Sequence, residues 1–265
     1  MNRFLSVALL AAVLLSACGV LPALNPTATA TVTPLPTDTP QPTLTSTPSA
    51  TPTPTSTSTP DAVATQAAQS TQAADSVLEE LDMYLGEKSG IDYQVGHLLW
   101  SQTDPAKITL TGPDTEYIGL EDDSTAGDFI FKSDVTWEAT GLLVCGAVFR
   151  SEANIEKGKQ YLFSFLRFSG LPAWQIEVDQ YGQFLNSPTD VRFSDALDLD
   201  NGATNQFILV ARDNEFTLYL NRNREGRYFD YSSQRSEGAF AFFASQTSGR
   251  GTCLFENSWI WSMDE

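Results

Sequence analysis

The 265-residue chain predicts an all-β fold, an antiparallel β-sandwich or jelly roll, set behind a Thr/Pro-rich tract and one helix. Three observations carry that expectation. Beyond Gly90, short alternating or aromatic-rich runs recur, as in Phe129-Ile130-Phe131-Lys132-Ser133-Asp134-Val135-Thr136-Trp137, where every second side chain reaches the same strand face. Turn sequences such as Asn201-Gly202, Arg212-Asp213-Asn214 and Asn221-Arg222-Asn223 separate these runs. No helical spacer lies between them, which leaves antiparallel pairing as the way to join the strands.

The elements follow in chain order. Residues 1–17 read as a signal peptide: Arg3 is the one cation, and the apolar stretch 4–15 is shorter than the roughly 20 residues that span a bilayer. Leu15-Ser16-Ala17-Cys18 resembles a bacterial lipobox, which implies diacylation of Cys18, removal of residues 1–17, and membrane attachment through lipid alone. Two acyl chains give stable anchoring. Residues 18–60 form the linker; 25–60 hold 14 Thr and 9 Pro in 36 residues, a composition that stays extended. At about 3.1 Å per residue this stretch reaches on the order of 110 Å. A helix is expected over 61–87, with Asp61 as N-cap and Val77, Leu78, Leu81, Tyr84 and Leu85 as one apolar stripe. Residues 88–265 form the sandwich domain, with strands expected at 129–137, 141–150, 161–168, 174–179, 206–212, 215–221, 238–244 and 252–263.

Charge and cysteines bound the function. The net charge is −18, distributed as −11 over 61–126 and −7 over 127–265. Such a surface repels phosphate backbones, so nucleic acid is not an expected partner. With Cys18 assigned to lipid, Cys145 and Cys253 remain in an oxidising compartment, and a disulfide between neighbouring strands of one sheet or at its rim is expected; two buried free thiols are the alternative. Closing a loop of about a hundred residues is worth roughly 4–5 kcal/mol in the chain-entropy model.

Residues 129–137, Gly146-Ala147-Val148-Phe149-Arg150, the hairpin 207–221, Gly238-Ala239-Phe240 and Leu254-Phe255-Glu256-Asn257-Ser258-Trp259-Ile260-Trp261 together resemble the LamG-like, concanavalin A-like jelly roll, in particular its 3-keto-disaccharide hydrolase-type branch. The resemblance covers 91–263 and rests mostly on structural motifs. It implies two curved sheets, with glycans met on the concave face or at loops along one edge. Trp174-Gln175-Ile176-Glu177-Val178-Asp179-Gln180-Tyr181 is similar to the Glu-x-Asp-x-Glu signature of laminarinase-type members, but Tyr181 stands at the third acidic position.

Glu177 and Asp179 share a strand face about 6–7 Å apart at the backbone, within reach of the separation that retaining glycosidases use. A wet strand face, a sugar-binding row or a cation site are the other readings of the same pair. Arg150 and Arg167 can each set a guanidinium beside aromatic rings, a pairing that suits sugar hydroxyls, with Trp174, Tyr161 and Tyr181 as stacking platforms. Arg150 is the first choice, a structural ion pair its alternative. His97 is the single histidine, and without a Gly-x-Ser-x-Gly elbow no hydrolase triad is built around it. Glu121-Asp122-Asp123 and the acids of 195–200 could supply oxygens to Ca2+, although solvated turns explain them as well. The expected ligand-binding set is Arg150, Arg167, Trp174, Glu177 and Asp179, with polysaccharide as ligand, no catalytic residue and no required cofactor. The expected function is a surface-displayed lipoprotein in the cell envelope with a non-catalytic binding or adhesion domain. A glycoside hydrolase of the 3-keto-disaccharide type and a structural envelope protein are the alternatives.

Overall fold

The computed structural model describes residues 62–86, 89–120 and 124–264. The signal segment, Cys18, the Thr/Pro-rich tract and Glu121-Asp122-Asp123 lie outside the described residues. Helix α1 (Ala62–Tyr84) is followed by β1 (His97–Ser101), β2 (Ala106–Thr111), β3 (Asp114–Gly119), β4 (Thr125–Ala126), β5 (Phe129–Ala139), β6 (Leu143–Ser151), β7 (Lys159–Phe168) and β8 (Leu171–Gln180). Then come β9 (Gln183–Asn186), β10 (Arg192–Phe193), β11 (Thr204–Arg212), β12 (Glu215–Leu220), β13 (Asn223–Phe229), β14 (Gly238–Gln246) and β15 (Arg250–Ser262).

The strands form two antiparallel sheets. One has seven strands in the order β1-β15-β5-β11-β12-β13, with β2 also on β15. The other has eight, in the order β10-β8-β7-β6-β14-β3, with β4 on β14 and β9 on β8. Alternation decides what lies between them: Phe129, Phe131, Phe207 and Phe255 from the first sheet meet Phe149, Phe163, Phe240 and Phe242 from the second, all buried. Phe129 and Phe240 pack edge to face at 4.8 Å between centroids, and Phe242 stacks on Phe255 at 4.3 Å.

Cys145 and Cys253 form a disulfide with a Cα–Cα distance of 5.8 Å. The bond corrects its expected placement: Cys145 lies on β6 and Cys253 on β15, so it ties the two sheets across the core rather than neighbouring strands of one. Both residues occupy inward positions, and facing sheets bring such positions close enough for a disulfide.

The outer face of the seven-stranded sheet is covered. Val77, Leu81 and Leu85 at the C-terminal end of α1 and just beyond it pack on Ile130, Ile208, Val210, Tyr219, Trp259 and Trp261. The Trp259 indole donates to Glu80 at 3.0 Å, and the buried Lys132 ammonium lies 3.5 Å from Glu80 while donating to the Asn257 carbonyl at 2.8 Å. Among the described residues no helix is long and apolar enough to cross a membrane. Among the described residues, no helix covers the outer face of the eight-stranded sheet.

Candidate functional site

Register on the open face brings together residues that are distant in sequence. Leu162 lies opposite Glu177, Ser164 opposite Gln175 and Gln160 opposite Asp179 across the β7–β8 pair. Residues directly opposite in an antiparallel pair share a face, so Gln175, Glu177 and Asp179 form a polar row beside Ser164, Leu162 and Gln160. Farther across the sheet, Val148, Leu162, Ala241 and Phe243 make a buried apolar floor. Phe243 lies over Gly146: a Cβ there would come within 2.6 Å of the ring and 2.0 Å of the Phe163 carbonyl oxygen, so only glycine lets the ring lie flat on β6. Tyr117, paired with Phe243 in register, stacks above it at 6.0 Å and an interplanar angle of 27°.

The resulting groove has a volume of about 740 Å³. Glu116, Tyr117, Glu156, Gln175, Glu177 and Asp179 supply its polar walls, and Tyr181 stands at its end. Glu177 accepts a hydrogen bond from the Gln175 amide at 2.7 Å, and Asp179 accepts from the Gly182 backbone N–H at 3.1 Å. Burial, and then the charge of Asp179, raise the Glu177 carboxyl above its ordinary value. Burial also raises Asp179, opposed by the Gly182 N–H. The Tyr117 phenol is pushed up to about 12, by burial first and then by Asp179, Glu177 and Glu156. The Gln160 side chain is fully buried; its oxygen accepts from Ser151 at 2.9 Å, and its amide donates toward the Tyr117 hydroxyl, which works against the upward shift of that phenol.

Of the five expected ligand residues, only Glu177 and Asp179 line this groove. Arg150 is 1 % exposed, and strict alternation would have put it outside with Val148. A bulge opposite Ala239 to Ala241, with Arg150 at φ +49°, swings it to the rim of the core instead. There Nε and Nη2 donate to the Gly127 carbonyl at 2.9 and 2.6 Å, and Nη1 donates to the Asp213 carbonyl at 2.6 Å. Asp128 lies at 3.7 Å, and the guanidinium packs between Phe129 and Phe216. The structural alternative therefore holds for Arg150. Trp174 is fully buried on the inward face of β8, edge-on to Tyr228 at 5.3 Å, so it is core and not a platform. Tyr161 is also buried, donating to Asp230 at 2.5 Å. Arg167 sits at the end of β7, where it donates to the Leu199 carbonyl and pairs with Asp200 at 3.6 Å, away from the groove.

His97 is exposed at the start of β1. Among the described residues no three Asp, Glu, His or Cys side chains converge to hold a metal ion, the acids of 195–200 included. A second cavity of about 600 Å³ is lined by Tyr161, Asp213, Asn214 and residues 233–237. Its polar groups bind one another: Gln234 N–H donates to the Tyr161 hydroxyl, and Arg235 donates to the carbonyls of Arg150 and Glu237.

Sequence reasoning missed Tyr117, Phe243, Gln160 and Gln175. The alternation around 160–166 and 174–179 could have pointed to Gln160 and Gln175, whereas Tyr117 belongs to a strand with an exposed, polar pattern.

No family model and no curated protein matches the chain. Solved structures similar to it include a carbohydrate binding module, CBM66, from Bacillus subtilis (17 % identity, TM-score 0.47, 63 % of this chain and 96 % of that one). Others are a Bacillus licheniformis beta-glucanase (8 %, 0.42, 60 % and 78 %) and a putative glycosyl hydrolase from Parabacteroides distasonis (14 %, 0.38, 66 % and 92 %). Identities and TM-scores this low leave ligand and activity to be argued from the chain's own residues.

Proposed function

We propose that the domain is a non-catalytic glycan-binding module, held at the outside of a bacterial membrane by lipid on Cys18. The observation that carries the binding reading is the open groove on the eight-stranded sheet. It combines an apolar floor, the Tyr117–Phe243 stack and a row of hydrogen-bonding side chains, Ser164, Gln175, Glu177 and Asp179. Sugar rings offer this surface a C–H face and a ring of hydroxyls. A shallow open groove with neutral hydrogen bonds worth about 0.5–1.5 kcal/mol each gives weak, repeat-dependent affinity.

Cleavage is less well supported. A retaining mechanism needs a nucleophile and an acid/base on either side of the scissile bond. Glu177 has an amide, Gln175, as its partner on one side, and the third acidic position of the signature is Tyr181, in a turn at φ +56°. The lipobox-like Leu15-Ser16-Ala17-Cys18 and the Cys145–Cys253 disulfide support an extracytoplasmic location.

Calorimetry against a panel of polysaccharides tests the binding reading. Loss of heat in Glu177→Gln and Asp179→Asn, with folding retained, is expected. Glycoside turnover that disappears in Glu177→Gln would instead favour the enzyme. Cys18→Ala should abolish partitioning into detergent, and unchanged partitioning would remove the lipid anchor.

A further inference from the structure

The chain carries a net charge of −18, and one cleft runs against that balance. On the outer face of the seven-stranded sheet, beyond the end of α1, residues 89–91 and strands β11, β12 and β13 enclose about 170 Å³. Arg212, Arg224 and Arg227 line it, and Glu215 is the one acid among its described lining residues, which leaves a formal charge of +2. Register explains how the arginines meet. Val210, Thr217 and Arg227 lie opposite one another across the three strands, and Arg212 lies opposite Glu215. Phe216 and Leu218 point into the core, so Glu215, Thr217 and Tyr219 take the outer face. Continued without interruption, the β12–β13 pairing would set Glu225 opposite Tyr219 on that face. A bulge between Leu218 and Tyr219 leaves Glu225 unpaired and sets Arg224 there instead. Glu225 turns away, accepting from the Ser194 hydroxyl at 2.7 Å and the Trp174 indole at 3.3 Å. The bulge thus exchanges a carboxylate for a guanidinium at the cleft.

A second observation points to a ligand. Thr217 is 5 % exposed, and its hydroxyl faces the cleft with no hydrogen-bond partner among the described residues. Glu215 pairs with Arg227, whereas Arg212 and Arg224 make no ion pair among the described residues. Guanidinium groups only donate and a hydroxyl can donate, so the complement is a group that only accepts. Phosphate carries about −1.5 to −2 near neutral pH, which matches the charge of the cleft. The volume suits one such group and not a chain of rings, for which the groove on the other sheet has about 740 Å³. Repulsion from the distant acids is screened over about 8 Å at physiological salt, so the local cations decide what enters.

We propose that this cleft binds a single doubly charged oxyanion, phosphate or sulfate, whose oxygens accept from Arg212, Arg224, Arg227 and the Thr217 hydroxyl. Charge-assisted bonds of this kind are the strong ones, and the planar guanidinium fork matches an oxyanion edge. The site lies on the opposite sheet from the glycan groove and stands independently of that reading.

The test is titration of the full chain with inorganic phosphate, sulfate and glycerol phosphate, with chloride at matched ionic strength as control, followed by calorimetry and by the arginine Nε–H signals in NMR. Phosphate and sulfate should bind saturably and shift the signals of Arg212, Arg224 and Arg227. Arg212→Met/Arg224→Met should weaken binding at least about tenfold while leaving the melting transition in place. Thr217→Val should weaken it by a smaller factor. Where the Met variant unfolds, Arg212→Lys/Arg224→Lys keeps both charges without the planar fork and should still bind more weakly than the native chain. Tighter binding of glycerol phosphate supports the site and assigns it to a phosphate carried on an organic group; tighter binding of inorganic phosphate supports it as a site for the free ion. No saturable step with any of the three anions, unchanged affinity in the Lys variant, or an equal response to chloride would overturn the inference.

Discussion

Arg150 and Glu177 are both charged side chains drawn out of solvent, and their surroundings give them opposite consequences for stability. Every hydrogen bond of Arg150 ends on the frame of the domain, at the carbonyls of Gly127 and Asp213. Arg150→Met should therefore cost about 3–5 kcal/mol, because it leaves those carbonyls and the Asp128 charge uncompensated. Urea unfolding measures this, and a variant of native stability would show that the Arg150 contacts contribute nothing to the frame. Glu177 has the reverse profile. Its folded-state pKa is raised above the unfolded value, so the folded protein holds a proton there more readily than the unfolded chain. The ionised form is thus a cost at neutral pH that disappears as pH falls through the raised carboxyl range. Glu177→Gln should therefore stabilise the domain at pH 7, raising its Tm. Scanning calorimetry should show the gain shrinking toward acid pH, and a gain independent of pH would exclude this origin.

At the scale of elements, alternation made the long strands legible. β5, β7, β8, β11, β12 and β14 fall close to their expected runs, because a strand buried on its inner face must repeat with period two. β1, β3, β9, β10 and β13 were not read, since their alternation is weak and β3 is placed by its pairing with β14; β2 was missed although Ala106-Lys107-Ile108-Thr109-Leu110-Thr111 alternates cleanly. Tyr117 was hidden for that reason: its position beside Phe243 is a product of register and not of local pattern. Arg150 was misjudged because a bulge breaks the alternation on which its facing was inferred. The cysteine pair was legible as a pair, but which sheets it joins depends on the packing of β6 on β15. That link constrains the two layers with a sequence separation of 108. The Cys145→Ala/Cys253→Ala variant should lose about 2–5 kcal/mol of unfolding free energy. Denaturant titration with and without reductant checks this, and equal stability would mean that strand packing alone holds the layers together.

For the whole molecule, the asymmetry of the sandwich is what connects fold to function. Its seven-stranded sheet hides apolar residues under α1, and its eight-stranded sheet presents a polar, aromatic-floored groove. The acidic balance could be read from composition, and the Glu177/Asp179 face from a six-residue run. The groove itself could not, since it is assembled from β3, β14, β6, β7 and β8 by non-local pairing. Chemical-shift mapping of a bound oligosaccharide on residues 62–265 tests the central claim most directly. The account predicts perturbations at Tyr117, Gln160, Ser164, Gln175, Glu177 and Asp179. Perturbations confined to Asp213, Asn214 and residues 233–237, the second cavity, would contradict it.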